Sequence, residues 1–174
     1  RNYFRAMMWL GRIEDYLLSP ENADSTGACP PQSFADIHRQ TSDAVLLTEL
    51  MDLADFSLLY EESEEISSFF FGEKDNVTPQ NLKTVLEDSE LTTAQAILDS
   101  ITLLNFQFVL NENSFAFQRI QSQILYHDPF STESVQPASA FMLFGQRYII
   151  DSYVTAQVVY DKIIYENRFI CRLF

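Results

Sequence analysis

The sequence predicts an all-α, multi-helix globular domain arranged around one long central apolar helix. Three observations lead there. The 174 residues include only four Gly and six Pro, too few for the tight turns of an all-β chain. The composition is 47% apolar and 14% aromatic, with fifteen Phe, which is enough to bury a single-domain core and excludes global disorder. Apolar residues also recur at helical spacing in segment after segment. Residues 1–174 therefore read as a single helical domain, or a fragment of a larger one, with loops near 19–33 and 129–138.

Taken in order, RNYFRAMMWLGRIEDYLL carries Tyr3, Met7, Leu10 and Leu17 on one stripe and predicts a helix. Arg1, Arg5 and Arg12 share another face, and Arg5 lies four residues before Trp9, within reach of a cation–π contact. Gly11 reads as a weak or closely packed position inside that helix. SPENADSTGACPPQS is a loop by composition. A helix from about Ser42 to Tyr60 should bury Leu47, Leu50, Met51, Ala54 and Leu58, with Thr48, Asp52 and Asp55 opposite.

The acidic run Glu61 to Glu65 lacks the alternating ligands and the Gly of a calcium loop and reads as solvated surface. Phe69, Phe70 and Phe71 lead into a turn at Gly72, where Asp75 is placed to bond backbone N–H groups. Thr78-Pro79 is a helix start, a hydroxyl N-cap followed by Pro at the first helical position. Asn76-Val77-Thr78 is also an N-glycosylation sequon, making Asn76 a candidate acceptor, although the capping role of Thr78 accounts for the same residues. SELTTAQAILDSITLLNF predicts one helix with Ala94, Ile97, Ile101 and Leu104 inward, and Ser114 to Tyr126 another, closed by His127-Asp128-Pro129.

FMLFGQRYIIDSYVTAQVVYDKI, residues 141–163, predicts the long helix, roughly 35 Å at 1.5 Å per residue. Met142, Ile149, Tyr153, Ala156, Tyr160 and Ile163 form one apolar sector, and much of the remainder is apolar too, as in a central helix. Gln146, Arg147, Asp151, Gln157 and Asp161 argue against a membrane span, so no transmembrane segment is expected. Arg147 and Asp151 are four apart and predict a pair along one face, either a packing device or, less simply, a ligand-binding Arg in a helical cavity.

Charge bounds the partners. A net charge of -14 disfavours nucleic acid and anionic membrane surfaces. Eight of the eleven cations are Arg, the usual choice for fixed carboxylate pairs. Cys29 and Cys171 are the only cysteines: one long-range disulfide in an oxidising compartment, or two thiols. With two His in the chain, a thiolate–imidazole zinc pattern cannot be built, and no metal or cofactor is called for. No HExxH, GxSxG or phosphate loop occurs, so no catalytic residue is assigned. The first residue reads as already inside a helix and RFICRLF ends apolar, so both ends look like cuts in something longer.

Three blocks, YFRAMMWLGR, FFFGEKDNVTP and FMLFGQRYIIDSYVTAQVVYD, span almost the whole chain. In that order they resemble the family catalogued as domain of unknown function 3160. The last block, with GQR, then Asp151-Ser-Tyr-Val, then Gln-Val-Val, is the most specific. The resemblance implies a long, mainly helical protein, often secreted or lipid-anchored in bacteria and archaea, with no established activity, of which this chain is an interior portion. It carries over no catalytic residues. Where the family usually has two consecutive Asp, this chain has Asp75 and Asn76, which weakens any carboxylate-pair metal role. Ile150 stands where a proline often precedes the Asp of the last block, and the tail from Arg168 matches poorly.

The expectation is a non-enzymatic structural or binding module of a larger extracytoplasmic protein or assembly, secreted or at the cell surface. Its partners would be the remainder of the same protein or other subunits. Arg147, Asp151 and Asp75 are the candidate binding residues. The alternative is a carboxylate-dependent hydrolase acting on glycan or peptide, and a smaller possibility is an anion site on Arg1, Arg5, Arg12 or Arg147.

Overall fold

The structure is a computed structural model, and it describes residues 1–18, 33–91, 93–120 and 139–159. Among these, helices α1 (Asn2–Leu10), α2 (Phe34–Leu53), α3 (Ser57–Phe71), α4 (Pro79–Asp88), α5 (Ala94–Ile97), α6 (Ser100–Asn111) and α7 (Ile150–Val159) dominate. Strands β1 (Asp15–Leu18) and β2 (Ser139–Phe141) form one antiparallel pair, Asp15 opposite Phe141 and Tyr16 opposite Ala140. The mainly helical expectation holds, with this small sheet as an addition.

The core gathers where α2, α4 and α6 meet β1 and β2. Leu17, Val45, Val77, Leu82, Val85, Ile97, Leu103, Phe106, Leu110 and Phe141 are enclosed there. Helix α2 meets the strand through Ile37, Gln40, Ala44 and Val45. Gln40 Oε1 accepts from the Tyr16 N–H at 2.8 Å, and Thr48 Oγ1 donates to the Ala44 carbonyl at 3.0 Å. On the other side of the same strand, Gln107 Nε2 donates to the Leu17 carbonyl at 2.9 Å. His38 Nε2 donates to the Ile97 carbonyl at 2.7 Å, tying α2 to α5.

Several sequence expectations change. The first helix stops at Leu10, and residues 15–18 are strand, because Gly11 is a close-approach point and not a helix interior. A Cβ there would stand 2.7 Å from the Phe144 carbonyl oxygen. The helix predicted from Ser42 to Tyr60 is two helices. Asp55 adopts a left-handed φ of 52° between them, a conformation Asp tolerates without Gly, so periodicity alone ran through the break. Leu47 and Met51 face the core as expected, while Leu50 and Leu58 are exposed and Thr48 is buried.

The segment 89–106 likewise splits, with Asp99 capping α6 by accepting from Thr102 N at 3.1 Å. Leu103, Phe106 and Leu110 then form the inward stripe, and Ile101 and Leu104 face out. Residues 114–120 are turns and bends rather than helix, and the rest of that predicted helix lies outside the described residues.

The largest correction concerns residues 141–163. No long apolar helix exists there among the described residues. Phe141 ends β2, residues 142–149 run as turns and extended chain, and α7 begins only at Ile150. The amides that would start such a helix bond elsewhere: Met142 N reaches the Val77 carbonyl at 3.3 Å and Tyr148 N the Glu73 carbonyl at 2.7 Å. Helix α7 is peripheral, with Ile150, Val154 and Val158 exposed. The starts and stops with local chemistry held: α3 ends at Phe71 before Gly72, and Thr78 caps α4 with Pro79 at its first position.

Candidate functional site

The site grows from the segment GEKDNVTP. Gly72 ends α3 with φ 89°, and a Cβ on it would meet the Tyr148 carbonyl oxygen at 2.7 Å. That close approach lets residues 73–77 run beside 140–148. Asp75 N donates to the Gln146 carbonyl at 3.0 Å, Val77 N to the Ala140 carbonyl at 2.9 Å, and Lys74 bridges with Arg147. At the end of the segment, Thr78 and Asn81 form a reciprocal capping box: each side chain accepts from the other's backbone N–H at 3.2 Å. Two of the three sequence blocks are therefore joined in space.

On one side of this ribbon lies a charged cluster. Arg147 Nη2 sits 2.8 Å from Glu64 Oε2, and its Nη1 donates to Ser68 Oγ at 3.2 Å and the Gly72 carbonyl at 3.3 Å. Lys74 Nζ reaches the same Glu64 Oε2 at 3.2 Å and the Leu143 carbonyl at 3.0 Å, and it also donates to the Tyr60 hydroxyl. The ammonium lies 4.3 Å from the centre of the Tyr60 ring. The Tyr60 hydroxyl donates to the Leu143 carbonyl at 2.7 Å. Burial pushes the Lys74 ammonium down to about 8, against the opposing pull of Glu64. Burial first, then the Glu64 charge, holds the Tyr60 phenol well above its ordinary value. Both cations here are bonded within the protein, so the cluster locks α3 to the ribbon.

The ribbon also borders a cleft of about 520 Å³, which Lys74 of the cluster helps to line. Asp75, only 4% exposed, organises its wall. Its Oδ1 accepts from Arg119 N at 3.0 Å and Arg119 Nε at 3.2 Å, and its Oδ2 accepts from Ile120 N at 2.6 Å. The guanidinium of Arg119 also lies over the Tyr148 ring, 4.1 Å from its centre. Glu73, Lys74, Asn76, Thr78, Asn81 and Ser114 complete the polar lining, and Phe115 and Phe117 supply the apolar part.

The predicted site residues fare differently. Asp75 does bond backbone N–H groups, but those of residues 119 and 120 rather than of its own turn. Arg147 is paired, but with Glu64; it precedes α7, so the four-residue helical spacing to Asp151 does not exist, and Asp151 is exposed in the first turn of that helix. Asn76 is buried, and its Nδ2, the atom a glycan would be attached to, donates to the Val77 and Met142 carbonyls at 2.9 Å each. Arg1, Arg5 and Arg12 are exposed at the N-terminal end, apart from the cleft lining. Cys29 and Cys171 lie outside the described residues.

Glu64 and Arg119 were missed. Glu64 stands in the run read as solvated surface, yet it is four residues from Tyr60, which places both on one helix face. Arg119 sits between Gln118 and Ile120 in an irregular segment, and no pattern marks it. Among the described residues no group of three or more His, Cys, Asp or Glu is placed to hold a metal ion, and no helix is long and apolar enough to cross a membrane.

A mainly helical chain with a two-strand clasp and a polar cleft beside it is the class this geometry defines. The chain belongs to the family described as protein of unknown function (DUF3160), whose family model matches residues 1–173. No curated protein and no solved structure matches it.

Proposed function

We propose that the chain is a non-enzymatic structural or binding module of a larger extracytoplasmic protein or assembly. Helix α6 carries the reading. Its inward stripe fills the core, yet its opposite face is also apolar: Ile101 is 77% exposed, and Leu104 and Phe108 lie beside it, near exposed Leu98. A helix apolar on two opposite faces suits an interior, so the exposed face calls for a cover, supplied by the remainder of the same protein or by another subunit. The exposed Phe69, Phe70 and Phe71 at the end of α3 add to the uncovered apolar surface. The extracytoplasmic placement rests on the family pattern set out above.

The test is sedimentation of the isolated chain against an Ile101→Glu/Phe108→Glu variant. The chain alone should self-associate and bind a hydrophobic dye. The variant should be monomeric, with an unchanged melting temperature. A wild-type chain that is monomeric and dye-free would remove the reading.

A carboxylate-dependent hydrolase acting on glycan or peptide has less behind it. Such chemistry needs two acids held apart with a proton to give and a lone pair to use. Glu73 and Asp75 share the cleft, but both oxygens of Asp75 are already taken up by the amides of residues 119 and 120.

A further inference from the structure

The cleft holds polar groups that the fold itself leaves unused, and we propose that it binds a neutral polyhydroxylated ligand, a short oligosaccharide. Asn81 commits its Oδ1 to the capping box, which leaves its Nδ2 as the open end of the amide. Arg119 commits its Nε to Asp75 and one face to Tyr148, so both Nη groups are without a partner among the described residues. Glu73 is exposed; its main-chain carbonyl accepts from Tyr148 N, while its carboxylate has no partner among the described residues. The hydroxyl of Ser114 is likewise exposed on the rim. Half-buried Phe115 and Phe117 lie among these groups.

This is a mixed set of donors and acceptors with two aromatic rings. A sugar hydroxyl both donates and accepts, so adjacent hydroxyls are met by a carboxylate on one side and a guanidinium or amide on the other. The C–H face of a pyranose then has Phe115 or Phe117 to pack against. Other ligand classes fit less well. The unused carboxylate and the unused guanidinium cancel, so the cleft rewards no net charge. Phosphate would face Glu73 and Asp75, and a cation would face Lys74 and Arg119. An apolar ligand would strand the polar wall without partners.

The volume of about 520 Å³ falls within the roughly 300–1,000 Å³ of small-molecule sites. The wall is also set in advance. Asp75 fixes residues 119 and 120 by their backbone amides, and the capping box fixes Asn81, so little ordering is left for binding. None of this uses the exposed face of α6, so the cleft and the assembly reading stand or fall separately.

The experiment is an amide-shift and calorimetric titration of the intact chain with cellotriose, chitotriose and maltotriose, beside inorganic phosphate and triglycine. One of the sugars should bind saturably and move the amides of residues 73–78 and 114–119. Glu73→Ala and Arg119→Ala should each weaken it at least ~10-fold, the loss of one charge-assisted hydrogen bond. Glu61→Ala, an exposed change on α3 outside the cleft, should leave it unchanged. The proposal is overturned if no sugar saturates, if Glu73→Ala binds as the wild type does, or if phosphate or triglycine moves these amides more than any sugar.

Discussion

Replacing Asp75 by Ala removes an acceptor that holds three donors: the amides of Arg119 and Ile120, and Arg119 Nε. The guanidinium is cheap to release, because the Arg119 side chain is 49% exposed and water replaces its partner. The two amides are not, since Asp75 and Ile120 are both buried. An orphaned buried donor costs ~1–3 kcal/mol, so Asp75→Ala should cost about 3 kcal/mol in total. At ~2–4 °C per kcal/mol for a chain of this size, the melting temperature should fall by about 10 °C. Asp75→Asn should be nearly as damaging, because whichever way the amide turns, its NH2 meets an N–H donor. Arg119→Ala should cost less than ~1 kcal/mol. Thermal melts followed by circular dichroism compare the three. If Arg119→Ala costs as much as Asp75→Ala, the ion pair and not the backbone anchoring carries the stability, and the reasoning is wrong.

Two pH effects follow from buried charge. Burial, reinforced by Asp43 and Glu14 and opposed by Arg39, raises the Asp15 carboxyl to about 6, so the folded state holds a proton that the unfolded chain has already lost. Its contribution is fully present below the ordinary aspartate value and is lost as pH rises through about 6. Asp15→Asn should therefore raise the melting temperature at pH 7 and leave it nearly unchanged at pH 3.5; an equal gain at both would contradict the assignment. Lys74, lowered to about 8 chiefly by burial, works the other way: its contribution is present above the ordinary lysine value and is lost as pH falls through about 8. Urea midpoints should rise between pH 8 and 10, before the elevated Tyr60 phenol opposes the trend. Lys74→Met should flatten that rise, and a variant that keeps it would place its origin elsewhere.

What the sequence made legible was local chemistry. Thr78-Pro79 announced α4, and Gly72 announced the end of α3, because a cap and a positive φ are properties of adjacent residues. What it hid was long-range. The run 141–163 is apolar enough for a central helix, and only the carbonyls of Glu73 and Val77, some seventy residues earlier, divert its amides into extended pairing. The breaks at Asp55 and Asp99 were missed because neither uses Gly or Pro. Asp75 bonds backbone amides, but not those of its own turn as expected: its partners are forty-four and forty-five residues away. Arg147 is paired not with Asp151, as its spacing predicted, but with Glu64, which was hidden in a run whose other glutamates are exposed.

The ribbon between residues 73–77 and 140–148 also sets an order of events during synthesis. The chain emerges from its N-terminal end, and helices α2, α3, α4 and α6 need only near neighbours to form. Leu17 and Val77 cannot be sealed until Phe141 arrives, and β1 has no strand to pair with before residues 139–141 are made. Until residues 139–148 are made, the nascent segment is a set of helices around an open seam. Its apolar interior is then accessible to a chaperone, or to another nascent copy, until the last family block closes it.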